Sequence, residues 1–531
     1  VDSYSTVSPS LGENSLSAMV LAGLIAYALI VVLMTLLYRL PGFLACIALA
    51  GQVAATLAFV SGYFPVFESF TLTLPGIAGI ILAIGMGVDA NVITAERIKE
   101  ELNNGKSLDG ALKSGFARGL TPIIDGNVTI VIVAIVLMGA FGPSDGLFAK
   151  ALHFVFFAFG PSTAGTIYAF GYTLLTGVLL NFVFGVFATR VMIRGAASIK
   201  ALRNPWLYGA VKPGKEVKEK KPIDFVGLRK RFLTISTCLM AAIILCAAVF
   251  GVRLDTEFTG GAMLTLSYQG EISTSEVQKT ASTALENNGL TLQTGENVAT
   301  GEQTLKISMP GNETVTTDQV ENLLTSLNEQ YPDNAFAQLS LSNVSAAMGT
   351  KFLQKSLVAV VFSLLLILLY IGFRFKKIGG LTGGLMAVLA LLNDLMVVFG
   401  TFVLLCTPLD GNFIAAMLTI LGYSINDTVV VYDRIRENRA LMGKKTPFEE
   451  LVNHSVNQSA RRTIITTVTT VMALGVMCVV SKLYGLDSIF TFAFPLMMGM
   501  LSGVYTSLCV STSAWVLWND RKSKKAETKK V

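Results

Sequence analysis

Hydrophobic residues in this chain gather in long uninterrupted runs. A helix of about 18 apolar residues or more crosses a hydrocarbon core of about 30 Å, and runs of this length recur along most of the sequence. The predicted spans are residues 17–37, 43–61, 74–95, 121–142, 164–192, 232–250, 356–373, 379–406, 412–432, 463–481 and 489–517. The pattern therefore predicts a polytopic α-helical membrane protein with eleven spans.

One long segment, residues 253–350, is polar and follows a different pattern. Stretches in which apolar and polar residues alternate predict strands at 263–270, 291–295, 303–309 and 336–344. Stretches with helix-start signals and helical spacing of apolar residues predict helices at 273–289 and 316–330. The order β-α-β-β-α-β is that of a ferredoxin-like fold, and about 100 residues can bury a core of their own. The segment is predicted to be a small α+β ferredoxin-like domain outside the membrane.

A shorter segment, residues 143–163, fits neither pattern. Its apolar stretch, 152–159, is too short to cross a membrane. We expect a helix that lies at the outer interface or one that prolongs the fourth span.

Charge placement predicts the orientation of the chain. Charged residues make up only 14% of it, against roughly 25% in soluble proteins. One set of alternate connections holds 34 of the 41 Lys and Arg residues, and the set that includes the polar domain holds seven. Because basic loops stay in the cytoplasm, we expect the N-terminus outside and the C-terminus inside.

The same composition argues against several kinds of function. All six cysteines lie in apolar runs and there are only two histidines, so no disulfide framework, metal centre or other cofactor is expected. Glu100 stands where a phosphate loop ending at residues 105–107 would need its first glycine, so ATP use and an enzyme activity are not predicted. The basic segments 212–221 and 519–531 fit topology and membrane lipid contact better than nucleic acid.

The two membrane halves repeat each other at a constant offset of 337 residues. Residues 85–91 align with 422–428 and residues 97–100 with 434–437, while Thr129 aligns with Thr466. Both halves begin outside and run in the same direction. They are therefore predicted to be parallel repeats around an axis along the membrane normal, with functional sites at their interface.

Two carboxylates stand deep inside predicted spans. Asp89 follows Leu74 by fifteen residues and Asp427 follows Asn412 by fifteen, which places each about 22 Å from the outer face of a regular helix. A charge at that depth costs about 2.5–3.5 kcal/mol, so such residues face the bundle interior and usually serve ion transfer. A purely structural contact between helices is the alternative.

Other polar residues in the spans leave both interpretations open. Asp394 and Asp125 are candidates for a polar pathway or for structural contacts. Arg461 and Arg462 stand at the start of the tenth span, where their side chains could also reach the cytoplasmic headgroups.

Several motifs resemble the SecD and SecF protein-export membrane proteins. Residues 74–102, LPGIAGIILAIGMGVDANVITAERIKEEL, are similar to a SecD signature, as are residues 7–16 and the pattern IIDGNVT at 123–129. Residues 422–438, GYSINDTVVVYDRIREN, are similar to SecF, supported by residues 369–375 and 456–470. The resemblance covers nearly the whole chain.

The resemblance implies a member of the resistance–nodulation–division superfamily with about five plus six transmembrane helices in its two halves. It implies a proton pathway of Asp89, Asp427 and Arg462. The secondary polar residues at corresponding places are Asn91, Asp125, Asn127, Asp394, Asn426, Thr428 and Arg461. The domains it suggests are 1–195 (SecD-like), 196–230 (basic linker), 231–252 (first SecF-like helix), 253–350 (external domain), 351–518 (SecF-like) and 519–531 (basic tail).

The family's role implies function and partners. We expect an auxiliary subunit of the Sec translocase in the bacterial plasma membrane, driven by the proton or sodium motive force. Its expected partners are the SecYEG channel, unfolded preprotein emerging outside, and accessory proteins of the YajC and YidC type. The alternatives are a related exporter of small molecules or lipids, and a passive assembly factor.

The chain also departs from the family pattern. The first helix and large external domain of SecD have no counterpart before Val1, so we expect a fragment. Glu257 replaces the Asp of a D-F-T-G-G motif, Asn393 the His of a His-Asp pair, and Arg461 a Ser.

Overall fold

The structure is a computed structural model, and it describes residues 3–7, 9–61, 63, 74–160, 165–211, 222–270, 272–285, 290–297, 302–310, 315–344, 346–443 and 445–528. The predicted linker segment 212–221 lies outside the described residues. The helices of the first half are α1 Pro9–Val60, α2 Leu74–Gly87, α3 Asp89–Asn103, α4 Leu108–Phe141, α5 Leu147–Ala151, α6 His153–Phe156, α7 Gly165–Asn181 and α8 Thr189–Ser198. Seven residues of π-helix, Phe182–Ala188, join α7 to α8.

The second part of the chain contains a further set of helices around the polar domain. These are α9 Arg229–Phe250, α10 Thr256–Thr259, α11 Thr274–Ala284, α12 Thr317–Gln330, α13 Ala346–Arg374, α14 Gly380–Leu404, α15 Gly411–Met442, α16 Phe448–Leu483, α17 Asp487–Tyr505 and α18 Thr512–Thr528. A π-helical segment, Thr506–Ser511, joins α17 to α18. The strands are β1 Ser3–Val7, β2 Gly261–Tyr268, β3 Thr291–Asn297, β4 Glu302–Pro310 and β5 Ala337–Val344.

Ten helical segments among the described residues are long and apolar enough to cross a membrane. The longest, Leu16–Val60, has 45 residues, or about 67 Å of helix, which is more than twice a hydrocarbon core. Its backbone leaves the helical region at Arg39 (φ 54°), and Tyr27 Oη donates to the Cys46 carbonyl at 2.9 Å. Residues 19 apart on a straight helix would be about 28 Å apart. The chain therefore turns back at Arg39, and α1 supplies the first two of the eleven predicted spans.

The membrane helices have two ends that we name by what adjoins them. The domain side is where α9 ends at Phe250 and α13 begins at Ala346, next to the α/β domain. The basic side is the opposite end, where the Lys- and Arg-rich connections lie. Large apolar side chains such as Leu24 (63% exposed), Leu245 and Phe373 cover the outer faces of the helices, as lipid contact requires.

The α/β domain has the predicted ferredoxin-like order. Its antiparallel sheet runs β1-β5-β2-β4-β3, so the predicted four strands stand in the order fourth, first, third, second. The N-terminal strand β1 adds a fifth strand, with Ser3 opposite Val344. Leu264, Leu305 and Ile307 of the sheet pack on Val277 of α11 and Leu323 of α12 to form the core. The helix predicted at 273–289 ends at Ala284, and residues 286–289 lie outside the described part.

The described part of the segment 143–163, residues 143–160, does not prolong the fourth span. Helix α4 ends at Phe141, and the short helices α5 and α6 fold back on it, with Leu152 and the Phe148 carbonyl packed beside Gly139. The Phe154 and Phe156 rings contact Phe362 of α13 edge-on at 6.4 Å. The segment therefore covers the domain-side ends of α4 and α13.

The two halves pack on each other through equivalent pairs of helices. Gly422 of α15 lies 3.4 Å from the Ile130 backbone of α4, and Gly85 of α2 lies 3.0 Å from the Thr470 backbone of α16, measured from a Cβ built on each glycine. Gly85 and Gly422 are 337 residues apart in the sequence. Each half thus places its own glycine against a helix of the other half, as close helix packing in membranes requires.

Candidate functional site

A cavity of about 50 Å³ lies between the two halves of the membrane bundle. Residues of both halves line it, and many of them are polar: Gln52, Asp89, Asn127, Asn181, Tyr423, Ser424, Asn426, Asp427, Thr466, Thr467 and Thr470. We call it the central cavity. Because a buried water needs about 10–15 Å³ and two to four polar partners, it has room for several waters.

Asp89 makes the strongest polar contacts in the central cavity. It stands at the start of α3, where the third span is interrupted at Val88. Its Oδ1 accepts from Arg462 Nη2 at 2.5 Å, and its Oδ2 accepts from Asn426 Nδ2 at 2.9 Å. The Arg462 side chain is 7% exposed. Because Arg462 and Asn426 belong to the second half, the site exists only when both halves are assembled.

Asp427 lines the same cavity, but no described residue forms an ion pair with it within 4.0 Å. Its carboxyl group interacts electrostatically with Arg462 and Asp89. Two guanidinium nitrogens of Arg462, Nε and Nη1, have no hydrogen-bond partner in the part of the chain that the structure describes. Two carboxylates therefore share a single guanidinium group, and the site carries one negative charge when both acids are ionised.

The walls of the cavity add further unpartnered polar atoms. Gln52 Oε1, Asn181 Oδ1 and Tyr423 Oη are buried and have no hydrogen-bond partner among the described residues. Gln52 is 2% exposed and Asn181 5%. Buried polar groups are normally hydrogen-bonded, so these atoms favour a hydrated path along the cavity.

Gly126 sets the position of Asn426. A Cβ on Gly126 would lie 1.7 Å from Asn426 Oδ1, so only glycine allows α15 to bring this amide against Asp89. The neighbouring Asn127 also lines the cavity, and its Nδ2 donates to the Ile123 carbonyl at 2.9 Å.

Arg461 lies away from the cavity. Its side chain is 56% exposed and pairs with Glu96 at 3.2 Å. Adjacent residues on a helix point in directions about 100° apart, so only one of the two arginines can face the interior. In this structure it is Arg462.

Asp125 belongs to a separate ion-pair cluster. Its Oδ1 accepts from Arg374 Nε at 2.8 Å, and its Oδ2 lies 3.8 Å from Arg436 Nη2. Tyr370 Oη lies 3.3 Å from the same carboxyl group. Two arginines thus compensate the charge of Asp125. This cluster is structural and separate from the central cavity.

The remaining predicted polar residues lie beside the cavity or farther from it. Asn91 donates to the Gly87 carbonyl at 3.3 Å. Thr428 contacts Ser507 of the π-helical segment at 2.8 Å. Asp394 is fully buried among hydroxyl groups of α15 and α17. None of these three residues lines the central cavity.

A ring of four charged residues joins the halves near the basic side. Arg97 pairs with Glu437 at 2.8 Å and Arg434 with Glu100 at 2.7 Å. Within each half, Arg97 also pairs with Glu100 at 3.1 Å and Arg434 with Glu437 at 2.8 Å. Arg97 and Arg434, like Glu100 and Glu437, are equivalent positions of the repeat. The arginine of each half therefore pairs with the equivalent glutamate of the other half.

The α/β domain is tied to the first turn of α15. Glu257 of α10 accepts from the Gly411 amide at 2.7 Å, and Asp410 caps the helix by accepting from the Phe413 amide at 3.1 Å. Backbone bonds between Asp255 and Leu409 and between Leu409 and Arg253, both 2.9 Å, add to the connection. Since α15 carries Asn426 and Asp427, the domain and the cavity share one rigid element.

The acids at this connection affect one another. Glu257 is exposed as a residue, and desolvation of its carboxyl group together with the neighbouring Asp410 and Asp255 raises its pKa to about 7. Burial and Asp255 raise the pKa of Asp410 to about 6. Both groups lie outside the membrane-spanning segments.

The sequence interpretation did not single out Gln52, Asn181, the cavity threonines or the Arg374–Asp125 pair. Gln52 and Asn181 carry a detectable signal, because each is an amide within an apolar span. Among the described residues, no group of three His, Cys, Asp or Glu side chains is arranged to hold a metal ion.

Comparisons with known proteins agree with this architecture. The sequence matches the family described as "Protein export membrane protein SecD/SecF, C-terminal" over residues 1–169 and 323–521. The protein translocase subunit SecDF of Bacillus subtilis is 31% identical over 99% of this chain and 67% of its own length. The SecDF subunit of Brucella abortus is 28% identical over 95% of this chain and 61% of its own length.

A solved structure is similar as well. The crystal structure of SecDF from Thermus thermophilus, described as a translocon-associated membrane protein, superposes with a TM-score of 0.81 at 27% identity. The match covers 98% of this chain and 64% of that one. This chain thus spans roughly three fifths to two thirds of the length of these relatives.

Proposed function

Because this chain belongs to the SecD/SecF family of protein export membrane proteins, we propose that it is an auxiliary subunit of the Sec translocase that uses an ion gradient to promote late steps of secretion. The coupling ion is a proton, or sodium in its place. The partners are the SecYEG channel, the emerging unfolded preprotein and accessory proteins of the YajC and YidC type.

The observation that carries the proposal is the charge balance of the central cavity. Asp89 and Asp427 share only Arg462, so one bound proton or monovalent cation makes the group neutral. An unbalanced charge at this depth costs about 2.5–3.5 kcal/mol. Binding and release of one ion therefore changes the energy of the site by enough to favour different helix arrangements.

Arg462 changes its hydrogen-bond partners between the ion-bound and the ion-free state of the site. With an ion on Asp427, the guanidinium group bonds only Asp89, as in this structure. When the ion leaves, the unpartnered Nε and Nη1 become donors for the Asp427 carboxylate. Asp427 lies on α15 and Arg462 on α16, so the exchange draws these helices together.

Helix α15 passes this movement on to the α/β domain. Its first turn is held by Glu257, which lies four residues before Gly261, the first residue of strand β2 of the domain sheet. Phe258 of α10 also stacks on Phe352 of α13 with ring centroids 5.5 Å apart. A shift of α15 is therefore passed to α10 and, through the Phe258–Phe352 contact, to α13.

The orientation follows the basic connections. We place the α/β domain and the N-terminus of this chain outside the bacterial plasma membrane and the C-terminus in the cytoplasm. Each elementary charge that crosses inward through the cavity then releases about 2.3 kcal/mol per 100 mV.

The test is ion flux into liposomes that contain the purified full chain. We expect an imposed pH gradient to acidify wild-type liposomes and Asp427→Asn to abolish this flux. Asp109→Asn is the matched control, because the Asp109 side chain is 66% exposed on the basic side, and it should keep wild-type flux. Runs in sodium and in potassium buffers separate the two coupling ions.

A second measurement connects flux to secretion. In vesicles that also contain the SecYEG channel, Asp427→Asn should leave preprotein accessible to protease under conditions in which Asp109→Asn completes transfer. Equal flux and equal transfer by Asp427→Asn and wild type would favour a passive scaffold and overturn the proposal.

A further inference from the structure

Asp394 lies in a shell made almost entirely of hydroxyl groups. It is 0% exposed in the middle of α14. Its carboxyl oxygens accept from Ser424 Oγ of α15 at 2.5 Å, from Ser502 Oγ of α17 at 2.6 Å, and from Thr506 Oγ1 at 3.0 and 2.8 Å. Thr506 opens the π-helical segment, and such segments are frequent at functional sites.

This shell differs from the way the same protein holds a permanent carboxylate. Asp125 has Arg374 and Arg436 beside it, whereas no described residue forms an ion pair with Asp394 within 4.0 Å. A hydroxyl group can donate or accept a hydrogen bond. The three hydroxyls can therefore satisfy Asp394 both as a carboxylate and as a carboxylic acid, which guanidinium groups cannot do.

No charged side chain of the described helices packed around Asp394 forms an ion pair with it. The described titratable side chains on these elements are Arg229, Lys230, Arg231, Cys238 and Cys246 of α9, Lys351, Lys355, Tyr370 and Arg374 of α13, Tyr423, Asp427, Tyr432, Asp433, Arg434, Arg436, Glu437 and Arg439 of α15, Tyr505 of α17 and Cys509 of the π-helical segment. None of them is hydrogen-bonded to Asp394. Asp427 lies three residues after Ser424 on the same helix and lines the central cavity.

In the first half, an uncharged residue takes the corresponding position. Gln52 lies on the second part of α1, its Nε2 donates to the Gly177 carbonyl at 3.1 Å, and its side-chain amide lies next to Gly87. Gly87 is the repeat equivalent of Ser424 at the offset of 337. A neutral amide thus fills the corresponding place between the helices of the first half. Helix packing alone does not require an acid here.

Ser424 connects this shell to the central cavity. Ser424 is one of the residues that line the cavity, and its hydroxyl group donates to Asp394. We propose that Asp394 is a second proton-binding residue, which exchanges its proton with the central cavity through the Ser424 hydroxyl. The inference rests on the proposed ion-driven function. It adds a second residue that binds a proton, outside the Asp89–Arg462–Asp427 group.

The exchange step is a proton relay with water as the partner in the cavity. The Asp394 carboxylic acid gives its proton to Ser424 Oγ while Ser424 gives its own hydroxyl proton to a cavity water. Asp394 is left as a carboxylate that accepts from Ser424, and the cavity holds a hydronium ion. Binding of a proton reverses each transfer.

Infrared difference spectroscopy of the purified full chain during a pH titration tests the site directly. We expect a carboxylic-acid carbonyl band that is lost in Asp394→Asn and kept in Asp89→Asn and Asp427→Asn. Ser424→Ala should keep the band, shift its frequency, and slow its proton–deuterium exchange about tenfold, since one hydrogen bond is lost. Ser424→Ala also tests the site if Asp394→Asn does not fold.

Other results would overturn the proposal. A band that survives in Asp394→Asn, or one unaffected in frequency and exchange by Ser424→Ala, would remove Asp394 from the proton path. A band that disappears when sodium is added at constant pH would show that the carboxyl group takes sodium instead. If the wild type shows no ion flux but the Asp394 band still titrates, the ion-driven function is wrong and the proton-binding site remains.

Discussion

Asp89 and Asn426 occupy equivalent positions of the two repeats and are hydrogen-bonded to each other, with 2.9 Å between Asp89 Oδ2 and Asn426 Nδ2. Two residues related by a pseudo-twofold axis can touch only close to that axis. The contact therefore marks the axis, and the central cavity lies along it. The repeat is not fully symmetric, because one partner is an acid and the other an amide.

Gly126 should be indispensable to this contact. Gly126→Ala places a methyl group against the Asn426 side chain, so we expect a loss of about 1–3 kcal/mol of stability and a strong loss of ion flux. Gly475→Ala is the matched control on α16, since nothing lies within 4 Å of its Cβ position. It should be neutral or stabilising by roughly 0.5–1 kcal/mol. Thermal unfolding in detergent and liposome flux check both, and equal behaviour of the two variants would contradict the packing argument.

Arg462 should matter more to stability when removed alone than when removed with its partner. Arg462→Gln leaves two half-buried carboxylates without a cation, and breaking a buried pair costs about 3–5 kcal/mol. Asp89→Asn combined with Arg462→Gln removes one charge of each sign and should recover most of that loss. Unfolding midpoints of the wild type, the single variants and the double variant measure the coupling. Flux should stay absent in the double variant, so a recovered flux would argue against a transfer role for this pair.

The charged ring near the basic side should give two similar coupling energies. Double-mutant cycles for Arg97→Gln with Glu437→Gln, and for Arg434→Gln with Glu100→Gln, should each give about 1 kcal/mol, since these partly buried pairs are better shielded than surface pairs. The exposed Arg203–Asp109 pair, with side chains 53% and 66% exposed, should give a value near zero. Coupling in only one of the two cycles would show that the reciprocal contacts are not equivalent.

The connection between Glu257 and α15 should make stability fall as pH rises. A carboxyl group with a pKa raised to about 7 in the folded chain binds more protons when folded than when unfolded, where its pKa is about 4.3. The added stability is therefore complete below about pH 4 and is lost as pH rises towards 7, and Asp410, at about 6, acts in the same direction.

Thermal unfolding between pH 5 and 8 measures this dependence. Glu257→Gln keeps an acceptor for the Gly411 amide but cannot ionise, so its unfolding midpoint should vary less with pH and be higher than that of the wild type at the alkaline end. Glu321→Gln, on the exposed face of α12, should leave the wild-type dependence in place. A Glu257→Gln profile parallel to the wild type would show that another group titrates.

Much of the architecture follows from the sequence. The lengths of the apolar runs predicted the spans, and the alternation in 253–350 predicted the ferredoxin-like order, because helices in lipid and strands in a half-buried sheet impose these periods. The repeat offset predicted that Asp89 and Asn426 would be equivalent, and the cost of a buried charge made Asp89 and Asp427 candidates for the site.

Only the tertiary structure decided which polar residues meet. Arg461 and Arg462 are neighbours in sequence, and helix rotation places one beside Glu96 and the other beside Asp89. Asp125, Asp394 and Asp427 are all acids within apolar spans, yet their partners are two arginines, three hydroxyls and a shared arginine. Periodicity fixes the face of one helix, whereas the group that compensates a buried charge comes from another helix, distant in sequence and brought near by packing.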